Sequence, residues 1–144
     1  MKRFIIAVTG LLIAMPVVAA EGRWTEGTGQ GNLEYFIDKQ GFTLYIGCPT
    51  QDGSADAYSS VSLNRKNDFS SISSFKILVN GLEFDGPFEA NSRVGTNNFL
   101  ELLNSLRKSD ATVKFSGKTI TFPKSNASKV IPVSGKKGFE CNLG

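Results

Sequence analysis

The sequence predicts a mainly β protein: an antiparallel β-sandwich or flattened barrel of about eight short strands, with one α-helix packed on it. Three observations lead there. Apolar residues alternate with polar ones in short runs punctuated by tight-turn residues, most clearly around Asn80-Gly81. One stretch only, around Phe99, Leu102, Leu103 and Leu106, carries helical spacing. Two cysteines, Cys48 and Cys141, stand far apart without a C-x-x-C spacing, which favours a structural bridge over a redox-active pair.

The first twenty residues read as a secretory leader. Lys2 and Arg3 give the charged start, residues 4–18 the apolar run, and Val18-Ala-Ala20 a small-residue cleavage site. Thr9, Gly10 and Pro16 interrupt the run, which falls short of the roughly 20 residues a bilayer span needs. Residues 21–144 are then expected to form a single exported β-rich domain, periplasmic or secreted, with no later segment long and apolar enough to cross a membrane. In such an oxidising compartment Cys48 and Cys141 are expected to pair with each other, the alternative being a redox-active or intermolecular pair, which the missing C-x-x-C spacing disfavours. Their bridge closes a loop spanning most of the exported chain, worth about 4–5 kcal/mol on chain-entropy grounds.

Residues 21–32 hold four glycines around Trp24. The run Gly27-Thr-Gly-Gln-Gly31 has a phosphate-loop flavour, but it precedes a strand instead of following one. A flexible lead-in with Trp24 tucked onto the core is expected. Residues 33–37 and 42–46 are strands joined by residues 38–41, with Ile37 facing Phe42 and with Leu33, Tyr35, Ile37, Phe42, Leu44, Ile46 and Cys48 pointing inward. Residues 49–56 are a polar loop, 58–64 a strand with Val61 and Leu63 inward, and 69–74 a serine-rich connection.

Asn80-Gly81 then turns a hairpin, because both residues tolerate the positive φ of a type I′ turn. A two-residue turn sets Val79 against Leu82, Ile77 against Phe84 and Lys76 against Asp85. Phe75, Ile77, Val79, Leu82 and Phe84 are expected on the buried face; Lys76, Leu78, Glu83 and Asp85 face water. After a loop over 88–95, Asn98 and Glu101 suggest a capping box for a helix of about three turns, with Arg107 and Lys108 at its negative end. Residues 112–115 and 119–122 form a second hairpin around Ser116, Gly117 and Lys118. Residues 130–133 are expected as an edge strand and 139–141 as a last strand stapled to Cys48.

The chain contains no histidine. Ser-His-Asp and Cys-His catalysis and nearly all zinc or copper sites therefore lack their usual groups, and no metal or other cofactor is expected. The S-x-x-K spacing occurs at Ser73/Lys76, Ser105/Lys108 and Ser134/Lys137, which leaves a Ser–Lys hydrolase as an alternative, provided a lysine is desolvated. Of the carboxylates, Glu83 and Asp85 share one strand face about 7 Å apart and read as solubilising charges, while Asp52, Asp56 and Glu89 sit in loops.

Charge is unevenly placed. Residues 21–101 carry six basic and eleven acidic groups, and residues 102–144 eight and two. Lys114, Lys118, Lys124, Lys129, Lys136 and Lys137 are the candidate surface for an anionic partner: an envelope component or an acidic protein. The plainer alternative is that these lysines blunt sheet edges. Export, near-neutral balance and few arginines argue against nucleic acid.

The layout of residues 75–139 resembles the periplasmic invasion-associated locus B family: the Val79-Asn-Gly81 hairpin, a loop, the Phe99/Leu106 helix, then the strands at Val113/Phe115 and Ile120/Phe122. The resemblance implies an exported, non-enzymatic β-rich protein and supplies no catalytic residues. The expected function is thus a small periplasmic binding protein, envelope-associated or of inhibitor or immunity type. A structural accessory of a secretion or conjugation apparatus is the other non-enzymatic alternative.

Overall fold

A computed structural model describes residues 20–29, 32–49 and 57–143. Residues 1–19 of the expected leader, the loop residues 50–56 with Asp52 and Asp56, and residues 30–31 of the glycine run lie outside the described residues. Strands β1 (Thr25–Gly29), β2 (Asn32–Lys39), β3 (Phe42–Pro49), β4 (Ser60–Arg65) and β7 (Phe88–Glu89) form one antiparallel sheet in the order β1-β2-β3-β4-β7. Strands β5 (Phe75–Val79), β6 (Leu82–Gly86), β8 (Ala111–Phe115) and β9 (Lys118–Phe122) form a second, in the order β6-β5-β8-β9. The sheets stack as a sandwich and do not close into a barrel. Helices α1 (Arg93–Leu106) and α2 (Ala127–Val130) complete the described elements.

Alternation decides what the sandwich buries. Tyr35, Ile37, Leu44, Ile46, Val61 and Leu63 from the first sheet meet Phe75, Ile77, Val79, Phe84, Val113, Ile120 and Phe122 from the second. Helix α1 adds Phe99, Leu102, Leu103 and Leu106, as its spacing predicts.

Three two-residue turns set the registers, each with positive φ at both positions: Gln40 and Gly41 (50° and 82°), Asn80 and Gly81 (51° and 74°), and Ser116 and Gly117 (45° and 73°). The central hairpin has the expected pairs, but Leu82 is 40% exposed and does not share the buried face. It sits beside the turn, beyond the cover of the opposite sheet. Between β2 and β3, Ile37 faces Leu44 and Phe42 faces Lys39. The strand runs two residues further than expected because Gln40 accepts the left-handed conformation; a two-residue shift leaves every side chain on its predicted face. In the last hairpin, likewise, Lys118 belongs to β9 and faces Phe115.

Other expectations are corrected. The lead-in is a strand, β1, paired along β2, although Trp24 is buried as anticipated. Helix α1 starts at Arg93, not after Asn98: the Ser92 hydroxyl accepts from the Gly95 N–H at 3.0 Å and supplies the cap. Residues 130–133 form no edge strand. Asn126 clamps Trp24 from both sides, accepting from its N–H at 2.7 Å and donating to its carbonyl at 2.9 Å, and the chain winds into α2. Residues 139–141 are not a strand either. Cys141 bonds Cys48, with Cα atoms 4.3 Å apart, and Asn142 ties the tail to Pro49, Ser59 and Ala57.

Candidate functional site

At one end of the sandwich the turn at Ser116 and Gly117 lies beside the serine-rich connection that leads into β5. Between them runs a groove of about 810 Å³, within the range of small-molecule sites. Three separate segments line it. Arg65 comes from the end of β4; Ser71, Ser73, Ser74 and Lys76 come from the connection and β5; Lys114, Ser116, Lys118 and Thr119 come from the last hairpin. Phe75 and Phe115 contribute its apolar floor, and Asp85 is its one carboxylate.

Arg65, Lys118 and Lys76 are each positioned by local contacts. Arg65 Nη1 donates to Ser70 Oγ at 3.2 Å, and Ser70 donates through both its O–H and its N–H to Asp68. Those two bonds hold the Asp68 carboxyl below its ordinary range. Phe42 and Phe115 pack edge to face at 4.8 Å, and Lys118 Nζ lies 5.3 Å from the centre of the Phe42 ring. Lys76 stands opposite both Asp85 and Lys114 in the sheet. It bonds Glu83 at 2.7 Å and approaches Asp85 at 3.8 Å. Among the described residues, no carboxylate lies within ion-pair distance of Lys114 or Lys118.

Protonation follows from these contacts. Glu83, with Asp85 behind it, raises the Lys76 ammonium above its ordinary value, and Lys76, then Lys114, lowers Glu83. A general base of the Ser–Lys type needs the reverse shift. Ser73 and Lys76 both line the groove, yet the ammonium there is held charged. Of the other S-x-x-K pairs, Ser105 is buried while Lys108 is exposed, and Ser134 and Lys137 are both exposed on a C-terminal turn. Glu83 and Asp85 share one outer face, as expected, and are joined through Lys76.

The six lysines singled out from the sequence do not form one face. Lys114 and Lys118 meet in the groove. Lys124 follows the far end of β9, where Phe122 pairs with Ala111, and Lys129 lies on α2. Lys136 and Lys137 lie in the exposed turn that precedes Cys141. The residues that sequence reasoning missed are Arg65 and the hydroxyls of residues 71, 73, 74, 116 and 119. Their only signal was serine content, since the topology, not the spacing, brings them together. Arg107, expected to answer the helix dipole, instead donates to the Ile131 and Ser128 carbonyls at 3.1 and 3.0 Å and pins the C-terminal segment.

Among the described residues no helix is long and apolar enough to cross a membrane. No curated protein and no solved structure matches the chain. Residues 22–131, well over half of it, match the family model described as YfjT. That stretch takes in all nine strands and both helices of the described residues, so the chain belongs to the YfjT family.

Proposed function

We propose that this protein is a small exported, non-enzymatic binding protein that takes an anionic envelope component in the groove at the Ser116 turn. The observation that carries it is the convergence of Arg65, Lys76, Lys114 and Lys118 with five hydroxyl groups against a single carboxylate. Guanidinium and ammonium groups supply charge, and serine and threonine hydroxyls supply short, adaptable donors to phosphate or carboxylate oxygens. The disulfide supports an oxidising compartment. The charged Lys76 favours binding over Ser–Lys hydrolysis.

The test is co-sedimentation with lipopolysaccharide and with anionic phospholipid vesicles. Lys114→Glu/Lys118→Glu should abolish retention, whereas Lys124→Glu, outside the groove, should not. Binding should also fade as ionic strength rises from about 0.1 to about 1 M and the screening length contracts from about 10 to about 3 Å. Equal retention of the groove variant, or salt-independent retention, refutes the proposal.

A further inference from the structure

The outer face of the five-stranded sheet carries a second groove, of about 480 Å³, that shares no residue with the basic one. Phe36 and Tyr45 stand directly opposite each other there on β2 and β3. A glycine lies beside each ring. A methyl group added at Gly27 would meet Phe36 at 3.7 Å, and one at Gly47 would meet the Tyr45 ring at 3.2 Å. The contact at Gly27 is an ordinary one, whereas glycine at position 47 leaves the Tyr45 ring room that a side chain would take; both rings line the groove. Burial, and then the neighbouring Glu34, raises the Tyr45 phenol above its ordinary value and keeps it protonated.

Phe69 supplies a third ring at the end of this groove. It is 78% exposed, and its backbone has φ of 58°, a conformation that bulky residues seldom adopt. The turn that holds it is closed by two hydrogen bonds, Phe69 N–H to the Arg65 carbonyl at 2.9 Å and Arg65 N–H to the Ser70 carbonyl at 2.8 Å. The fold thus spends backbone strain on holding an aromatic side chain out in water beside two others.

The polar lining indicates the ligand. Asp38 accepts from the Thr43 hydroxyl and lies 3.7 Å from Lys66 Nζ, while Glu34 is engaged by Tyr45. Lys66 disfavours a cation, and the two carboxylates disfavour an anion. A neutral ligand with many hydroxyls suits both signs, since it donates to the carboxylates and accepts from the ammonium. A pyranose ring offers this combination: an apolar C–H face to lie on an aromatic ring and hydroxyls around its rim. We propose that this face binds a neutral oligosaccharide, with sugar rings stacked on Phe36, Tyr45 and Phe69 and hydroxyls bonded by Glu34, Asp38 and Lys66.

The experiment is titration of the full-length chain with neutral tetrasaccharides of β-1,4-glucose, α-1,4-glucose and β-1,4-N-acetylglucosamine, read by calorimetry and by saturation-transfer NMR. At least one should bind, with saturation reaching the sugar C–H protons and an affinity indifferent to salt. Phe69→Ala, at an exposed position that leaves folding intact, should weaken it about tenfold, the worth of a good ring stack. Lys114→Glu/Lys118→Glu should leave it unchanged, which separates this site from the basic groove. Absence of binding to all three sugars, equal affinity in Phe69→Ala, or loss of binding in the Lys114/Lys118 variant overturns the assignment.

Discussion

Gly95 offers a test in which two physical effects oppose each other. It lies inside α1, where alanine is ordinarily better than glycine by about 1 kcal/mol. Here a Cβ would sit 2.2 Å from the Glu89 carbonyl oxygen and 3.2 Å from Ser92 Oγ. Reaching an ordinary contact with the carbonyl requires the helix to retreat by about 1 Å. The strand side does not yield easily: Ala90 is fully buried, and its N–H bonds the Ser59 carbonyl at 2.7 Å. Retreat of the helix also strains the 3.0 Å cap from Gly95 N–H to Ser92 Oγ. Overpacking costs about 1–3 kcal/mol and a lost cap about 1 kcal/mol. Set against the propensity gain, Gly95→Ala should destabilise by about 2 kcal/mol, which for a domain of this size lowers Tm by roughly 6–10 °C. Urea titration followed by circular dichroism measures it, with Ser92→Ala as the reference for the cap alone. A Gly95→Ala midpoint equal to or above that of the parent would show that β7 and α1 do not approach as described.

Two further outcomes follow from the core. Cys48→Ala/Cys141→Ala, which opens a bridge between residues 93 apart, should cost about 4–5 kcal/mol by urea titration; a loss below about 1 kcal/mol would mean that the Asn142 contacts already fix the tail. Burial, with Glu26 and then Glu140 behind it, pushes the Tyr35 phenol up to about 12. The fold therefore favours the protonated phenol: its contribution is complete below the unfolded value of about 10 and disappears between about pH 10 and pH 12. Alkaline titration of tyrosinate absorbance against circular dichroism checks this, and ionisation of Tyr35 near pH 10 in folded protein would contradict it.

What the sequence makes legible is whatever a few neighbouring residues decide. Asn80-Gly81 dictates its turn and therefore its register; Phe99, Leu102, Leu103 and Leu106 fall on one side of any helix; and two cysteines in a chain have only each other to pair with. What it hides is decided across long separations. β1 lacks alternating apolar residues, and its place in the sheet is set by pairing along β2. Residues 130–133 resemble a strand locally, but Asn126 is committed to Trp24, 102 residues away. The basic groove shows the same limit. Lys114 and Lys118 were visible as charges, whereas Arg65 and the serines acquire meaning only once β5 pairs with β8.

The path of the chain through its layers bears on how it can be divided. Having begun the four-stranded sheet with β5 and β6, it crosses over to place β7 against β4, then returns through α1 to lay β8 beside β5. Each layer is thus finished by a segment made after the other was started. Split fragments ending near residue 70 would each lack a neighbour held by the other half, so complementation should succeed only when both are present from the start of refolding. Reporter insertions, by contrast, belong at Gly41 or Gly81, where the chain reverses with open space around it and away from the basic groove.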